Sequence, residues 1–313
     1  MKKKTIGIIG PGEHFNKRIY PVIKKSDFFK IAGVLRNKKN KFYNIKVYNF
    51  NEFFKKKFDF IYISTVNKKH ERYIIKSLKT SSHVLCEKPF ITNYKNIKKI
   101  INFSINKKKL IFENFSYSCH PVFEKLKKLI QDPKFGKIKY AISNFKYPSK
   151  NIKNQRYLRN QGDGFFYDAA VYPISLENYL FNKYQEKKGK YLSDKIKKKV
   201  DLRGFILINS KNFKRFYFWG EGQNYSNNLE IIFENSSLFI DKIFSKNKKD
   251  NISIKIFFKN KTRTINIKKA DQFEIALKKI QINYFRKSFQ DFHRQKIIKQ
   301  IELMKKFSKV KKF

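Results

Sequence analysis

The chain has 313 residues, of which 41% are hydrophobic and 17% aromatic, and 73 Lys and Arg against 24 Asp and Glu give it a formal net charge of +49. The length indicates two domains, and the apolar content excludes an intrinsically disordered chain. No apolar run reaches the roughly 18 residues of a membrane span, and two cysteines, Cys86 and Cys119, are too few for a disulfide framework or a tetrahedral zinc site.

Two explanations of the positive charge are open. A pI near 10.1 is typical of proteins that bind nucleic acid. The lysines are spread over the whole chain, however, and Lys greatly outnumbers Arg, the residue that base readout and phosphate binding favour. Asn, Ile, Phe and Tyr are abundant too, and all are encoded by A- and T-rich codons. The base composition of the gene explains all of these features together, so we predict no specific nucleic-acid partner.

The first part of the chain alternates predicted strands with predicted helices. The strands lie at 5–9, 29–35, 59–64, 83–86 and 110–115, and the helices at 16–25, 51–54, 69–80 and 94–106. This alternation predicts a doubly wound parallel sheet of the Rossmann type over residues 1–120. The residues before the first strand lack the pattern of a secretion signal, so we expect a cytoplasmic protein that does not associate with membranes.

The pattern changes in the second part of the chain. A helix at 121–131, an extended segment at 137–145 and a helix at 168–181 are followed by an almost continuous series of strands from 200 to 267. Helices at 271–285 and 292–307 complete the series. Consecutive strands with short turns predict an open, mostly antiparallel sheet. The fold class is therefore α/β, with a Rossmann domain followed by a second α/β domain over 121–313.

A glycine-rich turn joins the first strand to the first helix, where dinucleotide-binding proteins hold the pyrophosphate. Residues 7–15 read GIIGPGEHF. Gly10 would form the tight turn, and Gly12 would let the backbone approach the anion at the helix N-terminus. Phe15 replaces the third glycine of the usual fingerprint. With Glu13 and His14 these residues form the predicted pyrophosphate site, and a strand-to-helix turn without a ligand is the alternative.

The end of the second strand favours NADP(H) over NAD(H). Sites specific for NAD place an Asp or Glu there for the ribose 2′-hydroxyl, whereas residues 34–39 read VLRNKK. Arg36, followed by Asn37, can instead hold a 2′-phosphate. The alternative is that Arg36 is simply part of the general positive charge.

A charged pair and a proline, Glu87-Lys88-Pro89, follow the fourth predicted strand. Ligands of parallel sheets bind outside the carboxyl ends of the strands. Lys88 is therefore placed to donate a hydrogen bond to a substrate oxygen, and Pro89 restricts its backbone. Taken alone, the motif is more typical of a surface turn.

Two further motifs accompany this one: residues 64–70 read STVNKKH, and residues 162–173 read GDGFFYDAAVYP. In combination the three make the chain resemble the Gfo/Idh/MocA oxidoreductases over nearly its whole length. The resemblance implies Lys88 as the catalytic lysine of that family. It also implies a set of contacts near the nicotinamide: Ser64, Thr65, Asn67, His70, Glu87 and Lys88.

The same resemblance assigns Asp168 and Tyr172 to catalysis. They are four residues apart and share one face of the predicted helix. Tyr172 takes the proton-transfer role that many relatives give to His, and because a tyrosine hydroxyl is a weak acid it needs a neighbouring cation, which Lys88 would supply. Asp168 would hold a substrate hydroxyl or orient the lysine. The alternative is that Tyr172 only packs against its helix.

More motifs are similar to those of the nucleotide-sugar 3-ketoreductases, a branch of this family. They are IFENF at 111–115, QRY at 155–157, YPI at 172–174, GQNYSNNLE at 222–230 and LFIDKIF at 238–244. Phe15, Asp163 and Ala170 depart from the family pattern, which bears on the shape of the substrate pocket. The implied substrate contacts are Asn114, Arg156, Tyr157, Asp168, Tyr172 and Tyr225.

The implied activity is hydride transfer between a nicotinamide cofactor and a sugar carbonyl or hydroxyl, most specifically reduction of a keto nucleotide-sugar. Dehydrogenation of free sugars, inositols or trans-dihydrodiols is the alternative within the family. A nucleic-acid-binding or catalytically silent Rossmann protein is the alternative outside it. Five scattered histidines form no metal-binding motif, so no metal is predicted. The family also leads us to expect a homo-oligomer formed through the open face of the second sheet.

Overall fold

The structure is a computed structural model of the chain, and it divides into two compact units. The first contains Met1–Phe115 and Ala276–Ile301, and the second contains Ser116–Ile275 and Glu302–Phe313. The residues described are 2–36, 42–149, 155–157, 164–182, 188–195, 200–210, 212–258 and 261–308, with the backbone alone for 155 and 188–195.

The first unit is built on a six-stranded parallel sheet. The strand order reverses at β1 (Lys4–Ile9), which pairs with β2 (Phe29–Leu35) on one side and with β4 (Phe60–Ile63) on the other. In open parallel sheets, ligands bind outside the carboxyl ends of the strands at such a switch point. The parallel pairing and this strand order confirm the predicted Rossmann sheet. Its strands, in spatial order, are β3 (Val47–Tyr48), β2 (Phe29–Leu35), β1 (Lys4–Ile9), β4 (Phe60–Ile63), β5 (His83–Cys86) and β6 (Ile111–Glu113).

Helices connect these strands and supply the rest of the core. Ile74 and Leu78 of α3 (His70–Lys79) and Ile100 of α4 (Ile97–Asn106) are fully buried in one cluster with the strand residues. Helix α2 (Phe50–Lys55) begins with a capping box, in which Asn49 Oδ1 accepts the Glu52 N–H at 2.9 Å and Glu52 Oε2 accepts the Asn49 N–H at 3.1 Å. The helices are a π-helical turn (Phe15–Ile19), α1 (Tyr20–Lys25), α2 (Phe50–Lys55), α3 (His70–Lys79) and α4 (Ile97–Asn106).

A late segment of the chain completes the first unit. It comprises most of helices α7 (Gln272–Asn283) and α8 (Lys287–Ser308). Ile297 and Ile301 belong to the core cluster of the parallel sheet, and Arg294 Nε donates to Ser104 Oγ at 2.8 Å. This differs from the two continuous domains, 1–120 and 121–313, that the sequence predicts. The apolar face of a helix shows that it packs against a core, and does not show which core.

The second unit is built on an eight-stranded, mostly antiparallel sheet, as predicted. Strands β7 (Ile138–Tyr147) and β10 (Phe213–Glu221) form a parallel pair, and the other neighbouring strands described are antiparallel. The strands, in spatial order, are β14 (Lys261–Ile267), β13 (Ile252–Phe258), β12 (Ser236–Asp241), β11 (Ser226–Phe233), β7 (Ile138–Tyr147), β10 (Phe213–Glu221), β9 (Asp201–Ser210) and β8 (Lys188–Lys195).

A buried ion pair fastens a helix to this sheet. The unit contains α5 (Pro121–Leu129) and α6 (Val171–Tyr179), and α6 continues a π-helical turn at Phe166–Ala170. Arg215 of β10 is fully buried, and its Nε lies 2.9 Å from Glu177 Oε1 on α6. The Tyr217 hydroxyl donates to the same oxygen. The segment that follows the π-helical turn is thereby held against β10.

The predicted elements agree in type with those of the structure, apart from two strands. The sequence prediction contains neither β3 nor β8. β3 has only two residues, too few for a period to be read, and β8 (KGKYLSDK) carries only one large aliphatic side chain. Within the described ranges no helix has the length and apolar character required to cross a bilayer.

Candidate active site

The carboxyl ends of β1, β2 and β4 are joined by backbone hydrogen bonds. The Gly10 N–H donates to the Leu35 carbonyl, and the Ser64 N–H donates to the Ile9 carbonyl, both at 2.9 Å. The glycine turn and the loop beginning at Ser64 therefore lie side by side at the switch point of the parallel sheet.

The two glycines of the turn meet different surroundings. Gly10 has φ +65°, and a Cβ atom there would lie 2.7 Å from Thr65 Cβ, so the turn requires glycine. A Cβ atom on Gly12 would meet nothing within 4 Å. Open space beside a main chain that leads into a helix is what a pyrophosphate needs in order to reach the backbone N–H groups. The residues present therefore fit a dinucleotide.

Phe15 has a different place from the one predicted. Its side chain is fully buried, with the ring centroid 5.5 Å from that of Tyr62 and 6.4 Å from that of Phe42. It fills the core at the start of the π-helical turn, so its side chain is not a cofactor contact. Such turns are frequent at functional sites.

The other residues of the turn are more exposed. Glu13 is on the surface, where its carboxylate pairs with Lys17 at 2.6 Å. His14 is half exposed, with Nε2 3.7 Å from Glu87 Oε1. A histidine at this position reaches from the glycine turn toward the motif that follows β5.

Arg36 directly follows β2 and is partly exposed. Its guanidinium carbon lies 5.8 Å from the centroid of the Phe42 ring. The structure thus places a cation at the carboxyl end of β2, as the NADP(H) prediction requires. Asn37 lies outside the described residues.

His70 joins two loops and is wholly buried. Its Nδ1 lies 2.8 Å from the Pro89 carbonyl oxygen and its Nε2 lies 3.1 Å from the Thr65 carbonyl oxygen. Burial lowers the pKa of the imidazole. Both ring nitrogens face the backbone, so His70 positions the loops instead of contacting the cofactor as predicted. Asn67, at the start of the short helical turn before it, is partly exposed.

Glu87 is held by a small polar network at the ends of β4, β5 and β6. Asn114 Nδ2 donates to Glu87 Oε1 at 3.0 Å and to the Tyr62 hydroxyl at 2.8 Å, and that hydroxyl donates to Glu87 Oε1. Burial and the Glu87 charge raise the pKa of Tyr62, which keeps its proton. Asn114, predicted to contact substrate, is 8% exposed and belongs to this network.

Lys88 follows Glu87 and is partly exposed, and the Lys88–Pro89 peptide bond is cis. A second carboxyl group lies close to this turn, because Glu113 Oε1 accepts the Phe90 N–H at 2.8 Å. Glu113 is fully buried, and desolvation raises its pKa to about 8.

In the second unit, Asp168 is the centre of another polar cluster. Its Oδ2 accepts the Tyr147 hydroxyl at 2.7 Å and Arg156 Nε at 2.5 Å. The Asp168 charge raises the pKa of Arg156, and burial together with that charge raises the pKa of Tyr147. Arg156, predicted to contact substrate, thus forms an ion pair with the predicted catalytic aspartate. These hydrogen bonds hold Asp168 Oδ2 in a fixed position.

Tyr172 lies one turn after Asp168, partly exposed, in an aromatic cluster. Its ring centroid is 4.6 Å from that of Phe145, 5.6 Å from that of Phe244 and 6.2 Å from that of Tyr117. The Ser175 hydroxyl donates to the Tyr172 carbonyl at 2.6 Å. These contacts fix the ring and the backbone of the predicted proton donor.

The remaining predicted substrate contacts have other hydrogen-bond partners. The Tyr157 hydroxyl donates to the buried Glu221. Tyr225 is 53% exposed, and its hydroxyl accepts Asn227 Nδ2 at 3.0 Å.

Several partners in these networks were missed by the sequence interpretation. Tyr62, Tyr147, Glu113 and Glu221 each end or nearly end a strand, and a polar side chain at the carboxyl end of a strand is the signal that could have identified them. Among the described residues, no group of three or more His, Cys, Asp or Glu is arranged to hold a metal ion.

Comparison with known families explains why these motifs occur together. Residues 4–115 match the family described as "Oxidoreductase family, NAD-binding Rossmann fold", and residues 123–238 match the GFO/IDH/MocA C-terminal domain. The chain belongs to the Gfo/Idh/MocA oxidoreductase family. The resemblance found from the sequence motifs is thereby confirmed.

Two relatives in this family carry the same name, dTDP-3,4-didehydro-2,6-dideoxy-alpha-D-glucose 3-reductase. The protein of Actinomadura kijaniata is 24% identical over 188 residues, which are 60% of this chain and 57% of the relative. That of Saccharopolyspora spinosa is 22% identical over 220 residues, 70% of this chain and 66% of the relative. The matched regions thus span less than two thirds of either relative.

The fold has a solved counterpart. KijD10, a 3-ketoreductase from Actinomadura kijaniata in complex with NADP and TDP-benzene, superposes with a TM-score of 0.93 at 16% identity, over 100% of this chain and 99% of that chain. At this identity the likeness establishes the fold, a Rossmann domain with a mostly antiparallel second sheet.

Proposed function

We propose that this member of the Gfo/Idh/MocA family is an NADP(H)-dependent oxidoreductase that reduces a keto nucleotide-sugar. The observation that carries the proposal is the position of Lys88. Lys88 follows β5 at the carboxyl edge of the parallel sheet, and β1 of the same sheet leads into the open turn at Gly12. His70 holds the loop after β4 to the carbonyl of Pro89. A lysine at this edge of a dinucleotide-binding sheet is suited to act on a substrate oxygen.

The cofactor would be held by the first unit. Gly10, Gly12 and the helix that follows would bind the pyrophosphate through backbone N–H groups. Arg36 would bind the 2′-phosphate, since residues 34–39 contain no acid to accept a ribose hydroxyl. The bound cofactor supplies the hydride.

Three side chains would act on the sugar. Lys88 would donate a hydrogen bond to the carbonyl oxygen and stabilise the negative charge that develops there. Tyr172 would transfer its proton to that oxygen. Asp168, held in position by Tyr147 and Arg156, would accept a hydrogen bond from a neighbouring sugar hydroxyl.

The names of the relatives support the substrate class. Two curated relatives are dTDP-sugar 3-reductases, and KijD10 was crystallised with NADP and a TDP derivative. Because the sequence identity to these relatives is low, the sugar is to be identified by a substrate screen that begins with keto nucleotide-sugars. Free sugars, inositols and trans-dihydrodiols form the second panel, and turnover of those alone would move the proposal to the dehydrogenase alternative.

The first test is a pair of binding isotherms, with NADPH and NADH, at low and at moderate salt. The salt concentration is varied because a chain of formal charge +49 attracts any polyphosphate weakly, and moderate salt screens this nonspecific attraction. We expect saturable NADPH binding that persists at moderate salt and exceeds NADH binding. If neither NADPH nor NADH bound, the proposal would be contradicted.

The second test compares Lys88→Met with Lys95→Met, which changes an exposed lysine after the same strand. We expect Lys88→Met to lose turnover of a keto nucleotide-sugar while it keeps NADPH affinity, and Lys95→Met to keep both. Equal turnover of the two variants would remove Lys88 from the reaction.

We also propose that the chain self-associates through the second sheet. Tyr140 and Phe257 lie on the same face of the sheet, because their strands are paired in register through Ile232 and Ser237, and each is 40% exposed. A second copy of the chain would cover these rings. Sedimentation velocity of the wild type and of Phe257→Lys would test this. A wild type that sediments as a monomer would contradict it.

A further inference from the structure

Asn227 is a fully buried residue of β11, and its side chain bonds the turn that follows β12, residues 242–246. Its Oδ1 accepts the Phe244 N–H at 2.9 Å, and its Nδ2 donates to the Ser245 carbonyl oxygen at 2.7 Å. The main chain adds a third bond, because the Ile243 N–H donates to the Asn227 carbonyl oxygen at 3.1 Å. One residue of the sheet is thus bonded to three consecutive residues of the turn.

This turn depends on side chains for its hydrogen bonds. It lies outside the strands, so its buried main-chain groups need other partners. The Phe244 carbonyl accepts Gln272 Nε2 at 3.3 Å, and the Ile243 carbonyl accepts Lys246 Nζ at 2.6 Å. Asn227 satisfies a main-chain N–H as well as a carbonyl, which its amide can do because it carries an acceptor and a donor side by side. Without that amide, the buried Phe244 N–H would lose its acceptor.

Phe244 carries the ring with which the turn packs against the proposed proton donor. It is 1% exposed, and its ring centroid lies 5.6 Å from that of Tyr172. The same ring lies 5.1 Å from that of Tyr117 and 5.6 Å from that of Phe145, and both of these rings also flank Tyr172. The helix fixes the backbone of Tyr172, whereas the tilt of its ring depends on these neighbours.

The same amide bonds a second residue of the proposed site. Asn227 Nδ2 donates to the Tyr225 hydroxyl at 3.0 Å as well as to the Ser245 carbonyl. An amide nitrogen carries two hydrogens and can make both bonds at once. Tyr225 is the half-exposed residue that the sequence motifs assign to substrate. Asn227 therefore links this residue to the turn that packs against Tyr172.

We propose that Asn227 is a positioning residue for proton transfer: it fixes the turn, and the turn holds the Phe244 ring against Tyr172. The inference rests on the proposed function in that Tyr172 is the proton donor. The Tyr172 hydroxyl must point at the substrate oxygen, and a ring that tilts freely does so for a smaller fraction of the time. Asn227 is buried and acts through Phe244, while its bond to Tyr225 fixes that hydroxyl relative to the turn.

The first test observes the Tyr172 ring directly. With 3-fluorotyrosine placed at position 172, the fluorine resonance reports the rings around it. We expect Asn227→Ala to shift or broaden this resonance. The control is Asn228→Ala on the opposite face of β11, whose side chain bonds Asn144 and Ser226 instead, and it should keep the wild-type resonance. A wild-type resonance in Asn227→Ala, or equal changes in both variants, would overturn the proposal.

The second test is a double-mutant cycle of Asn227→Ala and Phe244→Leu. The leucine keeps an apolar side chain and the main-chain groups that bond Asn227, and it removes the ring. We expect each variant to lower kcat with a keto nucleotide-sugar about five- to twenty-fold. The KM for NADPH should not change, because both residues belong to the second unit. The combined variant should lose no more than the larger single effect, since Asn227 acts through Phe244. Effects that multiply would overturn the proposal.

Phe244→Leu alone decides the question if Asn227→Ala does not fold. A wild-type kcat in Phe244→Leu would show that this ring does not hold Tyr172, and would overturn the proposal.

The fluorine measurement uses neither cofactor nor substrate. A resonance that changes in Asn227→Ala, in a protein that reduces no keto nucleotide-sugar, would support the positioning role and contradict the proposed function. An unchanged resonance in an active enzyme would do the reverse.

Discussion

The His70 imidazole links the loop after β4 to the turn after β5, with Nδ1 2.8 Å from the Pro89 carbonyl oxygen. The opposite nitrogen, Nε2, lies 3.1 Å from the Thr65 carbonyl oxygen. A neutral imidazole donates from one nitrogen only, and burial lowers the pKa of His70. The side chain therefore connects the two loops through one full hydrogen bond at a time.

Replacing this link should loosen both loops. We expect His70→Phe to lower the free energy of unfolding by about 2–4 kcal/mol, since buried carbonyl groups lose their donor, and to weaken NADPH binding several-fold. Chemical denaturation and isotherms would measure the two effects. His14→Gln, at a half-exposed histidine of the glycine turn, is the control for stability. If His70→Phe unfolded with the same free energy as the wild type, the His70 hydrogen bonds would not contribute to stability.

The glycine turn offers a matched pair of substitutions. Gly10→Ala should lower the free energy of unfolding by about 1–3 kcal/mol, because φ is +65° and the new Cβ would lie 2.7 Å from Thr65 Cβ. Gly12→Ala should leave stability nearly unchanged, because its Cβ meets nothing within 4 Å. We nevertheless expect it to weaken NADPH binding about ten-fold by occupying the space of the pyrophosphate. Thermal unfolding and isotherms separate the two effects, and full NADPH affinity in Gly12→Ala would argue against this turn as the cofactor site.

Arg36 is predicted to decide between the two nicotinamide cofactors. Arg36→Leu should weaken NADPH binding about ten-fold or more, since it removes a charge-assisted hydrogen bond to phosphate, and should leave NADH binding unchanged. Arg72→Leu is a suitable control, because that guanidinium stacks 4.4 Å from the centroid of the Phe50 ring. Equal losses for NADPH and NADH, or equal losses in both variants, would attribute the effect to general charge.

Tyr147 is predicted to orient Asp168 for substrate. Tyr147→Phe removes a hydrogen bond that Asp168 Oδ2 accepts. We expect kcat with a keto nucleotide-sugar to fall about ten-fold while NADPH affinity stays the same, since Tyr147 belongs to the second unit. Tyr140→Phe, at a 40% exposed tyrosine of the same strand, provides the comparison. A Tyr147→Phe enzyme with wild-type kcat would exclude this role.

Buried histidines should make the protein sensitive to acid. His83 Nδ1 accepts the Leu110 N–H at 3.0 Å, and burial lowers its pKa from 6.5 to about 3. Between these values the unfolded chain binds a proton that the folded protein does not, so stability is complete above pH 6.5 and falls as the pH decreases.

The substitution His83→Asn keeps an acceptor and removes the titration. When the pH falls from 7 to 4.5, the variant should lose on the order of 2 kcal/mol less free energy of unfolding than the wild type. Chemical denaturation of both proteins at a series of pH values measures this difference. Parallel slopes for the wild type and His83→Asn would show that His83 is not a source of the acid sensitivity.

Much of the fold follows from local sequence patterns. The strand bounds 29–35 and 83–86 were predicted as observed, since short apolar runs between polar turns define them. The glycine turn and the Lys88 motif were found too, because their residues are contiguous and the physical requirement is local. The family followed from the order of these motifs.

What escaped prediction depends on contacts between distant residues. The pairing of Arg156 with Asp168 and the position of Glu113 behind Phe90 are set by how strands align, and neither residue carries a local signal of its partner. Phe15 was read as part of the fingerprint, whereas its size lets it serve the core. His70 was found in the correct loop with a different role, since a motif gives the position of a side chain and not the direction of its hydrogen bonds.

The return of residues 276–301 to the first unit has a consequence for synthesis. Ribosomes add about 5–20 residues per second, so the parallel sheet emerges well before Ile297 and Ile301, which complete its core. During that interval the nascent sheet exposes apolar surface, which stays uncovered until residues 116–275 have been synthesised and residues 276–301 have followed them. A chaperone that recognises such surface should therefore bind nascent chains stalled before residue 276 and release those extended past residue 301.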